Sequence, residues 1–224
     1  MMKRDDFEES LKNPLVFWLP KSKGEICCLL NGKVGDMVSF DQRNPHHCYN
    51  LFEHTIHTVG EMKDTAPVLL RVAAFFHDIG KTAVAIEKQG RLVFYGHAQK
   101  SSEISPIILK EMGYDTEEIN EICFYIAHHD DFISWVLPEE AYDYKNKYFV
   151  EINEENLHRH IEKVEKKCSE KDFHPNESNW RNLLDLCYAD ASAQADTVIR
   201  NGIMTDTKEH KLKKILALQR CLNN

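Results

Sequence analysis

The sequence predicts an all-α domain on three observations. Helix breakers are sparse, with 9 Gly and 7 Pro in 224 residues. Apolar residues recur at helical spacing over most of the chain beyond residue 45. Only 83–95 reads as extended chain. One domain is the default at this length, with 1–44 as a lead-in and 45–224 as a single helical unit.

The elements follow in order. The lead-in reads as a short helix and then irregular chain, punctuated by Pro14, Pro20, Gly24, Asn31-Gly32 and Gly35. From Pro45 the pattern turns helical, with His46 to about Lys63 as one segment. Thr65-Ala66-Pro67 opens the next helix, since Pro is tolerated in a first turn. Leu69, Val72, Ala73 and Phe76 form its apolar stripe, and Gly80 is its expected C-terminal cap. Two short apolar runs around Lys88-Gln89-Gly90 suggest a small hairpin. A helix from His97 to Met112 contains Pro106, which should kink or interrupt it. Thr116 to about Asp130 is helical, with Ile119, Ile122, Cys123 and Ile126 on one face. The Tyr-rich stretch 138–148 carries no clear pattern. Dense charge over 153–171 suits an exposed helix, 177–199 a strongly apolar-striped one, and 206–222 a terminal amphipathic one.

Bulk properties exclude several classes. With 42% hydrophobic and 29% charged residues the composition is that of a soluble globular protein. A formal charge of −8 argues against a general nucleic-acid binder, which needs clustered Lys and Arg. No run of about 18 apolar residues is present, so no membrane span is expected. The start, MMKRDDFEES, has no apolar core of the kind a secretory leader needs. Seven scattered Cys with no C-x-x-C pair give a zinc ribbon no support and suit a reducing cytoplasm.

The twelve His decide the argument. His54, His77-Asp78, His129 and Asp190 fall where apolar stripes should run. A lone buried His is most often a hydrogen-bonded core residue. An unpaired Asp on an apolar face is strongly unfavourable, and a metal ion would resolve all these positions together.

The ordered set His54, His77-Asp78, then Asp190 within Tyr-Ala-Asp-Ala resembles the pattern of HD-domain phosphohydrolases. Phe75-Phe76-His77-Asp78-Ile79-Gly80-Lys81 is similar to the family's central motif, and Gly96-His97 to the element that follows it. A narrower resemblance runs over about 38–135 and resumes near Asp190. There Phe40-Asp41-Gln42-Arg43-Asn44-Pro45-His46-His47, leading into Phe52-Glu53-His54-Thr55, is similar to the HD region of bacterial CCA-adding tRNA nucleotidyltransferases. The catalytic head of those enzymes, with its Gly-Ser loop and paired Asp, has no counterpart here, so nucleotide addition does not carry over.

The resemblance implies an HD-type helical bundle holding a divalent metal on His54, His77, Asp78 and Asp190. Mixed imidazole and carboxylate ligands suit Mn, Fe, Co, Ni or Zn. His97, His128 and His129 stand in the order that a second ion requires in two-metal members such as the HD-GYP group, with Asp78 bridging. No Gly-Tyr-Pro motif is present, and contacts to substrate phosphate are the other reading, so one or two ions per chain stays open. His129 continues the apolar stripe; His128 points about 100° away and suits packing.

The expected activity is hydrolysis of a phosphomonoester or phosphodiester by metal-activated water. Asp78 would hold the metal and Lys81 stabilise phosphoryl charge, with a solvated Lys near a helix end as the alternative. Asp130 or Asp131 would orient water. Arg43, His46 and His47 are candidates for phosphate at the pocket mouth, or for a loop folded by its own hydrogen bonds. His57 reads as packing, and His158, His160, His174 and His210 as surface residues. By resemblance the substrate is nucleotide-related, a small phosphorylated molecule or an RNA end. The alternative is a non-catalytic metal- and nucleotide-binding module that supports an RNA-processing partner. The expected location is cytoplasmic.

Overall fold

A computed structural model of the chain describes residues 2–30, 37–141, 149–200 and 203–223. The turn signals Asn31-Gly32 and Gly35, and most of the Tyr-rich stretch, lie outside them. The fold is all-α, with small strand pairs. Its helices are α1 (Arg4–Lys12), α2 (Pro20–Leu30), α3 (Leu51–Gly60), α4 (Val68–Phe76) and α5 (Lys81–Val84). After them come α6 (His97–Glu111), α7 (Thr116–His128), α8 (Glu154–Ser169), α9 (Glu177–Ser192) and α10 (Lys208–Leu222). Among the described residues no helix is long and apolar enough to cross a membrane.

Helix α4 is the central rod, packed against α1, α3, α7 and α9. Its sequence VLLRVAAFF is apolar all round, as a helix buried on every side requires. Leu70, Val72, Ala73, Ala74, Phe75 and Phe76 are fully buried. Arg71 is tolerated there because its guanidinium donates to the carbonyls of Lys63 and Leu11. The helices around it start on side-chain caps. Asn50 and Glu53 form a capping box for α3, Asp115 and Glu118 one for α7, and Asn176 and Asn179 one for α9.

The first segment is more helical than its turn residues suggest. A 3-10 helix, Pro14–Trp18, and α2 follow α1 where irregular chain was expected. Phe7 and Phe17 stack on Phe75 with ring centroids 5.0 and 5.6 Å away, so burial overrides the local Pro and Gly signals. Arg4 pairs with Glu118 at 2.5 Å and lies 4.1 Å over the Tyr114 ring, tying α1 to the start of α7.

Other boundaries move for identifiable reasons. Helix α3 begins at Leu51, not near His46, because Asn50 caps it; residues 45–50 form turns. Gly80 is not a left-handed cap, since its φ is −70°. It is instead a contact point: a Cβ there would sit 2.6 Å from the Ser101 nitrogen and 2.7 Å from the His97 carbonyl. Helix α6 continues through Pro106 without interruption. The Ser102 carbonyl, which loses its helical donor to the proline, accepts from the Cys123 thiol of α7 at 3.7 Å.

The expected hairpin exists. Strands β1 (Ile86–Lys88) and β2 (Arg91–Val93) pair antiparallel around Gln89 and Gly90, both with positive φ. Strands β3 (Trp135–Val136) and β4 (Val150–Glu151) form a short parallel pair. The helix expected over 177–199 ends at Ser192. Its last part is strand β5 (Thr197–Arg200), antiparallel to β6 (Ile203–Asp206), as the β-branched run Thr197-Val198-Ile199 favours. Helix α8 carries its charges outward and buries Leu157 and Val164.

Candidate metal centre

Six side chains meet where α3, α4, α6, α7 and α9 converge. His54 comes from the middle of α3, and His77 and Asp78 from the turn that closes α4. His97 is the first residue of α6, His129 caps the end of α7, and Asp190 lies in the last turns of α9. His54, His77 and Asp78 are fully buried, and Asp190 keeps 15% of its side chain exposed.

The six form two groups that share Asp78. In the first, His54 Nε2 lies 2.9 Å from Asp190 Oδ1 and 3.3 Å from Asp78 Oδ2. His77 Nε2 lies 3.2 Å from the same Asp78 oxygen and 3.6 Å from Asp190 Oδ1. In the second group the other Asp78 oxygen, Oδ1, faces His97 Nε2 at 3.1 Å and His129 Nε2 at 3.7 Å. Each group offers ligand atoms within 4.8 Å of one another.

Backbone contacts orient all four imidazoles alike. The Nδ1 atoms of His54, His77, His97 and His129 lie 3.3, 2.7, 2.9 and 2.7 Å from the carbonyls of Ala193, Ala74, Phe94 and Ile126. A carbonyl only accepts, so each Nδ1 carries the proton and donates. That leaves Nε2 of each ring as the atom pointed into the cluster, where it can offer a lone pair to an ion or carry a proton. His97 Nε2 and His129 Nε2 lie 3.2 Å apart.

That arrangement fits a metal ion. His54 Nε2, His77 Nε2 and Asp78 Oδ1 are buried atoms with no hydrogen-bond partner among the described residues. Buried polar atoms are costly when unsatisfied, and an ion accepting all these lone pairs removes the cost. Protons are the competing guest. Burial opposes charge on His77, yet the carboxylates of Asp78 and Asp190 push its pKa up to about 10. Burial likewise opposes charge on Asp78 and Asp190, yet His77 and Lys81 hold Asp78, and His54 and His77 hold Asp190, well below the usual carboxylate range.

A shell of polar residues braces the ligands. Lys81, expected near a helix end, is buried and donates to Asp78 Oδ2 at 2.5 Å and to Gln42 Oε1 at 3.0 Å. Its Nζ also lies 3.4 Å from His47 Nε2, which accepts. Burial and the Lys81 charge push the His47 pKa well down, so that ring is neutral. On the far side Gln194 donates to Asp190 Oδ2 at 3.1 Å and accepts from Lys211. Such outer partners fix ligand orientation.

The remaining candidates separate clearly. His128 is outside both groups: it points away from His129 on the helix and binds Asp131 Oδ2 at 2.7 Å. His160 shares that carboxylate at 3.0 Å among Phe132, Trp135 and Trp180, so it is no surface residue. Arg43 turns outward to Glu87 at 3.2 Å, while its carbonyl and the Asn44 amide hold Leu92 of β2. Asp130 lies 3.3 Å from His97 Nε2. His57 stacks on Tyr49 at 4.1 Å as a packing residue.

A cleft of about 650 Å³ opens onto the cluster. His46, His47, Asp78, Lys81, His97, His129, Asp130 and Asp190 line one part of it. Gln194, Lys211 and Lys214 line another and were not singled out from the sequence, and His210, expected at the surface, stands with them on the cleft wall; nor was Gln42 singled out, though it stands inside the motif beside Arg43.

Comparison with known proteins agrees with this geometry. The CC-adding tRNA nucleotidyltransferase of Thermus thermophilus is 32% identical over 109 residues, which cover 46% of this chain and 24% of that protein. The chain thus spans about a quarter of the length of that relative. A family model for the HD domain matches residues 46–193. That span takes in every member of both ligand groups, and the chain belongs to the HD domain family, whose members are metal-dependent phosphohydrolases.

Proposed function

We propose that the chain is a phosphoric ester hydrolase that works with two divalent transition ions, one on each group, bridged by Asp78. The observation that carries this is the set of four imidazoles with Nδ1 tied to backbone and Nε2 aimed at the two oxygens of Asp78 and at Asp190. Mn, Fe, Co, Ni and Zn all suit such ligands. When bound, the ions supply Lewis-acid charge and make water nucleophilic at neutral pH.

The chain's own residues do the rest. Lys81 sits with its ammonium against Asp78 on the cleft wall, where it faces the anionic phosphoryl group and stabilises charge that grows during in-line attack. Neutral His47 beside it offers a further contact to phosphate oxygen. Asp130, next to His97 and partly open to solvent, orients the attacking water and accepts its proton. Gln194 holds Asp190 in its ligand orientation.

The substrate class rests on resemblance: a nucleotide or an RNA-end phosphate, since the relative's name places its work on tRNA. Nucleotide addition is not proposed, because the match spans 24% of that protein. The test is a panel of nucleotide monoesters, cyclic phosphodiesters and RNA ends, each assayed with Mn, Co, Ni and Zn. Metal-dependent phosphate release from one class is the expected result. Stoichiometric metal with ligand binding and no turnover of any ester would instead make the chain a binding module.

A further inference from the structure

The cleft is larger than one phosphate needs. At about 650 Å³ it lies within the range that takes a whole small-molecule ligand. One part of its wall comes from Thr207, His210, Lys211, Lys214 and Leu218 on and beside α10. The family match ends at residue 193, so this wall lies outside the matched span. It can set specificity while the metal groups stay common.

Lys214 is the unusual residue on this wall. Its side chain is half-buried, and its Nζ donates to the Ile133 carbonyl at 3.0 Å. Among the described residues no carboxylate lies within ion-pair distance of it, whereas Lys208 and Lys213 on the same helix pair with Asp196 and Glu209. Its charged neighbours are engaged elsewhere: Glu140 meets His210 at 3.3 Å, and Lys211 donates to Gln194. Burial lowers the Lys214 pKa to about 8, with Glu140 opposing and Lys211 adding to the fall. A partly desolvated ammonium with donors to spare gains from an anion beside it.

The body of such a ligand is indicated by the rest of the cleft. Phe132 and Trp135 stack edge to face at 5.3 Å, and exposed Ile133 and Phe149 stand beside them. We propose that Lys214 forms a second anion subsite in the metal cleft, so that the site takes phosphate esters whose apolar or aromatic body carries a second anionic group. This rests on the phosphohydrolase reading and narrows its substrate.

The test is calorimetric binding to the Mn-loaded protein, with adenosine 5′-monophosphate and adenosine 3′,5′-bisphosphate as probes. The expected result is about tenfold or more tighter binding of the bisphosphate, the scale of one hydrogen bond between charged groups. Lys214→Met should abolish that ratio and Lys214→Arg keep it, with thermal melting to confirm that both variants fold. Lys213→Ala, on the exposed face, should leave the ratio alone. Equal affinity for the two probes in the wild type, or a ratio that survives in Lys214→Met, overturns the subsite and leaves the hydrolase reading standing. No binding of either probe would likewise overturn the subsite, while the hydrolase reading stands or falls on the ester panel.

Discussion

At the scale of single residues, the site is governed by where lone pairs are left over. Four backbone carbonyls accept from the Nδ1 groups, and the Nε2 atoms are then aimed at the carboxylates, where an ion or protons can sit between them. Lys81 is the residue whose role differs most from a bland expectation. It is buried on Asp78 and Gln42, where an unpaired ammonium would be strongly unfavourable. We expect Lys81→Ala to keep its metal, measured by elemental analysis, and to lose turnover by about a hundredfold, the low end for a lost transition-state charge donor. Unchanged turnover in a folded, metal-loaded variant would remove Lys81 from the mechanism. His54, His77, Asp78 and Asp190 were legible in the sequence because polar residues on apolar stripes call for a partner. Gln42, Gln194 and Lys214 were not: their contacts arise from helices brought together by the fold, and no local period marks them.

At the scale of elements, the second ligand group depends on how closely α6 approaches the turn after α4. Gly80 allows that approach, with Ser101 Oγ accepting from its nitrogen at 2.9 Å. A methyl group at Gly80 would meet backbone atoms of α6 at 2.6 and 2.7 Å, and backbone cannot swing aside as a side-chain tip can. Gly80→Ala should therefore shift α6, carry His97 away from Asp78 and cost about 1–3 kcal/mol of stability. Denaturant unfolding measures the cost, and loss of about one metal ion per chain reports the shift; a variant with wild-type stability and metal content would show that α6 is not so constrained. Most helices beyond residue 50 were readable from periodicity, and the first hairpin from its Gln89-Gly90 turn, whereas Pro14, Pro20 and Gly24 hid the 3-10 helix and α2. The β5–β6 pair was not read from the sequence, although Thr197-Val198-Ile199 is a β-branched run. The apolar stripe of α9 runs on into that run in the sequence and hides the change to strand.

At the scale of the whole molecule, the ligands come from helices distant in sequence, so an ion joins α3, α4, α6, α7 and α9 at their meeting point. An ion that binds the folded chain and not the unfolded one adds about 2.7 kcal/mol at a hundredfold excess over its Kd. For a chain of this size that corresponds to a Tm change of about 5–10 °C. Chelator treatment should lower the Tm by that amount, and added Mn should restore it. A melting curve indifferent to both would place the cluster outside the metal-linked core.

The central claim is two ions sharing Asp78, and metal stoichiometry tests it most directly. Wild type, His129→Ala and Asp78→Ala are loaded with Mn, dialysed, and measured by elemental analysis against protein concentration. The account predicts two ions per chain in the wild type, one in His129→Ala and none in Asp78→Ala. Full metal content in folded Asp78→Ala would contradict it.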